Sequence, residues 1–321
     1  MRRELLHTRA AIRAPAVTRF TRAARRAGRA PSGLRWSAMQ RIFVGDVQGC
    51  ADELDDLVAR AQAEHGGEFE LWLVGDLVNR GPASLRVLQR VRALEDEGRA
   101  RTVLGNHELA LLRAAAGTRR LRVSDTFRDV LEAGGDWIDW VRRRPLVATG
   151  RAGGQRFAML HAASAPGWSL DELAERARRI EARMAASREE AFRLLGARRH
   201  DDADADALAR ITTCRSVDAR GRWSSRPPKL AHDAWHARWL SHAPDHGLVY
   251  GHWAVQGLHV QPLLRGLDTG CVYHGAWGDR FLTAWLPSDD DVRPFDVPDE
   301  RFWHVPARAR HLSDEMLADC S

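Results

Sequence analysis

Three short polar clusters carry most of the chemistry in this 321-residue chain: Gly45-Asp46-Val47-Gln48-Gly49, Gly75-Asp76 with Asn79-Arg80-Gly81, and Gly105-Asn106-His107-Glu108. Carboxylate, amide and imidazole groups are oxygen and nitrogen donors suited to hard or borderline divalent ions. A lone Gly-Asp after an apolar run is ordinarily only a turn. Three such clusters, each opening on glycine and each following an apolar run, point instead to a shared metal centre. Asp46, Asp76, Asn106 and His107 are therefore expected to meet in space.

The elements that must position them follow from the same stretch. Residues 41–44, 71–74 and 101–104 read as β-strands, each stopping on one of the clusters. Between them, Leu54, Leu57, Val58 and Ala61 fall on one face of a helix over residues 51–66, and Pro82 opens a second helix running to about residue 97. Strands alternating with helices predict parallel βαβ units, whose right-handed crossovers gather the strand ends along one edge. A helical stretch over 125–144 is broken at Gly134-Gly135, and a strand over 155–160 stops at His161. Ser169 with Glu172 forms a capping box for one long helix to Leu195. Residues 198–246 read as irregular and polar, and 168–246 as a cap on the sheet edge, short of apolar positions for a core of its own. A strand over 247–250 stops at Gly251-His252-Trp253, and antiparallel strands are expected over 258–264, 267–273 and 280–286. The main domain is placed at 39–290, followed by a loosely packed carboxyl-terminal tail over 291–321.

Composition narrows the partners. The formal charge of +6 is unevenly spread: residues 1–38 hold ten arginines against Glu4, which is +9, leaving −3 for the remainder. A general polyanion-binding surface on the globular part does not follow from that balance. The Arg-rich stretch reads as a disordered tail or a mis-assigned start ahead of Met39. No apolar run reaches the length of a membrane span. Cys50, Cys214, Cys271 and Cys320 form no C-x-x-C pair, which suits free thiols in a reducing, cytoplasmic setting.

With His161 and His252 added, the order G-D, G-D-x-V-x-R-G, G-N-H-E, H, G-H resembles the phosphoprotein-phosphatase branch of the calcineurin-like metallophosphoesterases, over about residues 39–287. Finer features, Gly45-Asp46-Val47-Gln48-Gly49-Cys50, Gly251-His252-Trp253-Ala254 and Leu267-Asp268-Thr269-Gly270-Cys271, are similar to members that split dinucleoside tetraphosphates symmetrically. The resemblance implies a layered α/β fold, a β-sheet sandwich flanked by helices with a helical and irregular cap. It also implies two divalent ions, Mn²⁺ first with Co²⁺, Fe²⁺ and Zn²⁺ as alternatives. The implied reaction is in-line attack of a metal-bound hydroxide on diadenosine tetraphosphate, giving two ADP. Carried onto this chain, Asp76 bridges the ions, Asp46 with Gln48 binds the first, and Asn106, His161 and His252 bind the second. His107 is the general acid, oriented by Asn79; Arg80 and Arg215 hold the phosphate, and Trp253 stacks on a base. Asp268 is read as holding a turn. The substrate is thus a small dinucleoside polyphosphate, with nucleic acid excluded except as nucleotide-capped RNA ends. A phosphomonoesterase or a Ser/Thr phosphoprotein phosphatase is the alternative. The wider branch has His where this chain has Gln48 and Asp where it has Asn79, so one imidazole and one supporting negative charge are missing.

Overall fold

The computed structural model describes residues 39–229, 232–288, 292–296 and 301–320; the Arg-rich stretch 1–38 lies outside them. The first βαβαβ run is as the periodicity predicts: β1 (Gln40–Val44), α1 (Ala51–His65), β2 (Phe69–Leu73), α2 (Ser84–Asp96), β3 (Ala100–Thr102) and α3 (Asn106–Ala115). β1, β2 and β3 are parallel neighbours, so the Asp46, Asp76 and Asn106 loops leave the same edge. The 125–144 stretch forms α4 (Arg128–Ala133) and α5 (Gly135–Arg142), divided at the glycine pair, and leads into β4 (Val147–Ala152) and β5 (Gln155–Leu160).

The strands do not form one sheet. Beyond the cap lie β9 (Gly247–Tyr250), β10 (His259–Gln261), β11 (Leu264–Gly266), β12 (Phe281–Trp285) and β13 (Phe302–Pro306). One five-stranded sheet has the order β13-β12-β1-β2-β3 and the other β10-β11-β9-β5-β4. Between them lies an aromatic layer. Phe43 stands 5.6 Å from Trp72, 5.3 Å from Trp285 and 5.2 Å from Phe157 of the opposite sheet. Ile42, Val44, Leu71, Leu73, Leu160 and Leu248 point the other way, into the larger core shared with the helices. Both faces of each central strand are buried, which is why these strands read as unbroken apolar runs. β5 and β9 are parallel, and His161 and His252 follow their ends. The site is therefore assembled from the carboxyl edges of two sheets facing one another.

Several expectations needed correction. The long helix from Ser169 is two, α6 (Leu170–Ala186) and α7 (Arg188–Gly196). Ser187 interrupts it in an extended conformation, its hydroxyl accepting the Glu190 N–H at 3.0 Å as the cap of α7. Residues 198–246 are more ordered than their polarity suggests, forming α8 (Ala203–Thr213), a small sheet of β6 (Ser216–Asp218), β7 (Trp223–Ser224) and β8 (His232–Ala234), and α9 (Trp235–Leu240). Leu208, Ile211, Trp235 and Trp239 from this stretch join the continuous core. Residues 267–273 are no strand: the Asp268 carboxylate accepts the Gly270 N–H at 3.0 Å, and Gly270 takes a left-handed φ of 71°. The end of the chain is also packed. β13 pairs antiparallel with β12, burying Phe302 and Trp303, and Pro306 is tolerated because this is an edge strand. A final helix, α10 (Asp314–Cys320), follows.

Candidate metal centre and reaction cleft

Five residues with left-handed backbone, Gln48, Asp76, Asn79, Arg80 and His252, belong to the site loops, out of seven such non-glycine residues among those described. Strained backbone collected in one place marks a functional site, because the surrounding packing must hold it there. A Cβ on Gly251 would lie 1.9 Å from an Asp46 carboxylate oxygen, and one on Gly105 would lie 2.2 Å from Asp76 Oδ1. These two glycines let neighbouring loops close around the carboxylates. Glu108 draws the second and third clusters together. Its carboxylate accepts the N–H groups of Asp76, Leu77, Val78 and Gly105 at 2.8–3.2 Å. No role for this residue was legible from its type and spacing, although it closes the Gly-Asn-His-Glu motif.

The donors converge with their lone pairs inward. His161 donates from Nδ1 to the Val74 carbonyl at 2.9 Å, and His252 donates from Nε2 to the Thr213 carbonyl at 3.1 Å. A carbonyl can only accept, so in each neutral ring the proton is spent on the backbone and the other nitrogen is bare. Those bare nitrogens, His161 Nε2 and His252 Nδ1, face Asn106 Oδ1 at 3.0 and 2.7 Å, and His161 Nε2 is 3.3 Å from Asp76 Oδ2. Three ligand atoms, from Asp76, His161 and His252, lie within 4.8 Å of one another. Electron-rich atoms held face to face repel unless a cation intervenes, either a metal ion or a proton on His161, whose pKa burial works to lower but Asp76 raises on balance. The residues fit a metal ion.

The electrostatics agree. Burial, then the nearby Asp268 and Asp76, push the Asp46 carboxyl well above its ordinary range. Burial likewise raises Asp268 to about 6 and Glu108 to about 7. Burial works to raise Asp76 as well, but His161 and His107 outweigh it and hold it low. Four carboxylates enclosed together require positive charge in compensation. Asp268 does hold its turn, and it also lines the cleft as one of these four.

His107 points its Nε2 toward Asp76 Oδ2 at 3.7 Å, and burial lowers its pKa to about 4. Behind it, Asn79 is fixed by its oxygen, which accepts the backbone N–H of Arg80 and of Thr126, both at 2.9 Å. Its amide nitrogen must then face the ring, and it lies 2.8 Å from His107 Nδ1. Asn79 donates to the ring, so in neutral His107 the proton resides on Nε2. The same amide nitrogen donates to Asp125 at 3.0 Å, and Asp125 is paired with Arg119. The carboxylate missing at position 79 is present one hydrogen bond farther out.

Gln48, Arg215 and Trp253 line the cleft, a cavity of about 590 Å³. Arg215 is anchored on the carbonyls of Ser225 and His252 at 2.9 and 3.1 Å. Arg80 is absent from that lining: its Nη1 donates to the Ser124 carbonyl at 3.1 Å. Ser124 is held in turn by Asp319 of α10, whose Leu317 and Ala318 form part of the wall. Tyr273 and Trp277, stacked at 3.9 Å with ring planes 1° apart, form another part. The only hint of them in the sequence is two aromatic residues four apart after Leu267-Asp268-Thr269-Gly270.

Two facing sheets with metal-ligating donors on their carboxyl edges fit a metal-dependent hydrolase, and residues 39–186 match the calcineurin-like phosphoesterase family model. The chain belongs to this family, whose members depend on a dinuclear metal centre. Curated relatives named "Bis(5'-nucleosyl)-tetraphosphatase, symmetrical" come from Aromatoleum aromaticum, 38% identical over 79% of this chain and 95% of the relative, and from Janthinobacterium sp., 36% identical over 78% and 94%. One from Vibrio cholerae is 33% identical over 78% and 100%. A provisionally assigned diadenosine tetraphosphatase of known crystal structure, 24% identical, superposes with a TM-score of 0.57 over 86% of this chain and 96% of its own, and so shares the fold. Among the described residues no helix is long and apolar enough to cross a membrane.

Proposed function

We propose that this chain hydrolyses dinucleoside tetraphosphates, with diadenosine tetraphosphate as the reference substrate, at the central anhydride to release two nucleoside diphosphates. The observation that carries the hydrolytic reading is the convergence of bare donor atoms from Asp76, Asn106, His161 and His252. The choice of substrate is supported by the names of the relatives, which align over nearly their whole lengths.

Asp76, Asn106, His161 and His252 would hold one ion. Asp46, Gln48 and Asp76 would hold the other, with Asp268 contributing the negative charge that compensates for the absent imidazole. Two bound dications supply Lewis acidity toward phosphoryl oxygens and lower the pKa of water. With oxygen and nitrogen donors and no thiolate, the set suits Mn²⁺, Fe²⁺, Co²⁺ and Zn²⁺ alike, and Mn²⁺ is the ion proposed first. Arg215, anchored on two carbonyls, presents its remaining N–H groups to a non-bridging phosphate oxygen. His107 presents its Nε2–H as a hydrogen-bond donor to the leaving oxygen, because Asn79 occupies Nδ1 and Asp125 holds Asn79; the ring stays neutral, stabilising the charge that develops there without surrendering its proton. Arg80, turned to Ser124, acts on the phosphate after releasing that carbonyl. Trp253 and the Tyr273–Trp277 stack offer aromatic faces to the nucleoside arms. The free thiols of Cys50, Cys214 and Cys271 support a reducing, cytoplasmic setting.

The test uses protein cleared of metal by a chelator and resupplied with single divalent ions. Activity on diadenosine tetraphosphate is expected to vanish on chelation and return best with Mn²⁺. Its kcat/KM is expected to exceed that for p-nitrophenyl phosphate or a phosphoserine peptide at least about a hundredfold. Faster turnover of either monoester would make this chain a phosphomonoesterase or a protein phosphatase.

A further inference from the structure

The β6–β7 hairpin separates two cavities. Arg215 and Ser225, at its open end, face the reaction cleft. Its turn borders a second cavity of about 720 Å³, in which four arginines, Arg199, Arg210, Arg220 and Arg222, outnumber two aspartates, Asp201 and Asp206. Asp206 is engaged by the Trp223 indole N–H at 2.9 Å, and Arg222 is paired with Asp218 at 2.7 Å. Arg199 lies 4.2 Å over the Trp223 ring. Among the described residues, Arg199, Arg210 and Arg220 make no ion pair with a carboxylate.

Arg210 is the informative one. It is only 9% exposed, yet its guanidinium makes a single long hydrogen bond, 3.4 Å to the Gly221 carbonyl, and Nε and Nη1 have no partner. Trp168 and Trp223 rings lie 5.8 and 5.7 Å from it. Buried guanidinium groups are ordinarily paired, because an uncompensated charge away from water is strongly unfavourable. Three guanidiniums lining one cavity, with the buried one short of acceptors, match phosphate oxygens better than any neutral ligand.

We propose that this cavity is a second site, separate from the reaction cleft, for a small phosphate-bearing anion, with Arg210 at its floor and Arg199 and Arg220 at its mouth. The metal centre contributes nothing to it, so it stands or falls apart from the hydrolytic reading.

The test is isothermal titration of the full chain in chelator, with pyrophosphate and ADP as separate probes. The wild type is expected to bind, and the double variant Arg199→Ala/Arg220→Ala to lose about tenfold or more in affinity. His107→Asn, altered in the cleft, is expected to bind like the wild type. Both residues of the double variant are exposed, so its thermal midpoint without ligand should match the wild type; Arg210→Met is a second variant, expected to lose more. Equal affinity for the two probes assigns recognition to the phosphates alone, and ADP binding at least about tenfold tighter assigns it to a nucleotide. The proposal is overturned if the wild type takes up neither probe, or if the double variant binds both as well as the wild type does.

Discussion

Asp76→Asn is expected to reduce kcat by about 10³-fold or more, while Gln48→Ala costs about tenfold. In the proposed arrangement Asp76 serves both ions, and its carboxylate lies within reach of His161 and His107. It also accepts the His107 backbone N–H at 2.8 Å through Oδ1, so the change removes charge from the point where the loops meet. An amide of equal size can keep that hydrogen bond on its oxygen, so the fold should survive. Gln48 offers at most one neutral donor to one ion, and Asp268 stands nearby to retain the charge. Metal content per chain measured beside kcat checks the argument, with Asp76→Asn losing metal and Gln48→Ala retaining most of it. Equal losses in the two variants would remove the bridging role from Asp76.

His107→Asn is the second large effect, about 10²- to 10⁴-fold in kcat with metal content unchanged. The ring stands outside the group of bare donors formed by Asp76, His161 and His252, and its Nδ1 is taken by Asn79. Nothing but the hydrogen bond from Nε2–H to the leaving oxygen is then lost to the reaction. Asp125→Asn should act through Asn79 on the same ring and cost about ten- to a hundredfold in kcat with little change in KM. If His107→Asn lost metal, His107 would be a ligand and not the donor to the leaving oxygen. A Asp125→Asn variant that changed KM and not kcat would remove Asp125 from the positioning of the ring.

Much of this was legible in the sequence because strand ends mark the site. The first two glycine-led clusters follow strands buried on both faces and the third follows the edge strand β3, where Arg101 is exposed; parallel pairing brings all three ends to one edge. Two sheets in place of one were implied by the family resemblance and not by periodicity, since a doubly buried strand reads the same in either. What stayed hidden depends on contacts far apart in sequence. Asp125 sits in an unremarkable polar stretch and matters only because Asn79 turns its amide nitrogen toward it. The pairing of β13 with β12 and the approach of α10 to the cleft wall are long-range events, carried by a short edge strand and a seven-residue helix. Arg80 was the natural phosphate clamp by motif, yet in this structure its guanidinium is engaged by Ser124. The buried core of residues 198–246 was masked by composition, because Leu208, Ile211, Trp235 and Trp239 are scattered among charges that face solvent.

Symmetrical cleavage is the central claim, and product analysis in oxygen-18 water tests it most directly. If water attacks the second phosphorus from one nucleoside, the bond to the central bridging oxygen breaks, and the leaving group is itself a nucleoside diphosphate. Diadenosine tetraphosphate should then yield two ADP per turnover, with one heavy oxygen on the terminal phosphate of one ADP of each pair and none on the other. AMP together with ATP, or inorganic phosphate released alone, would contradict the account.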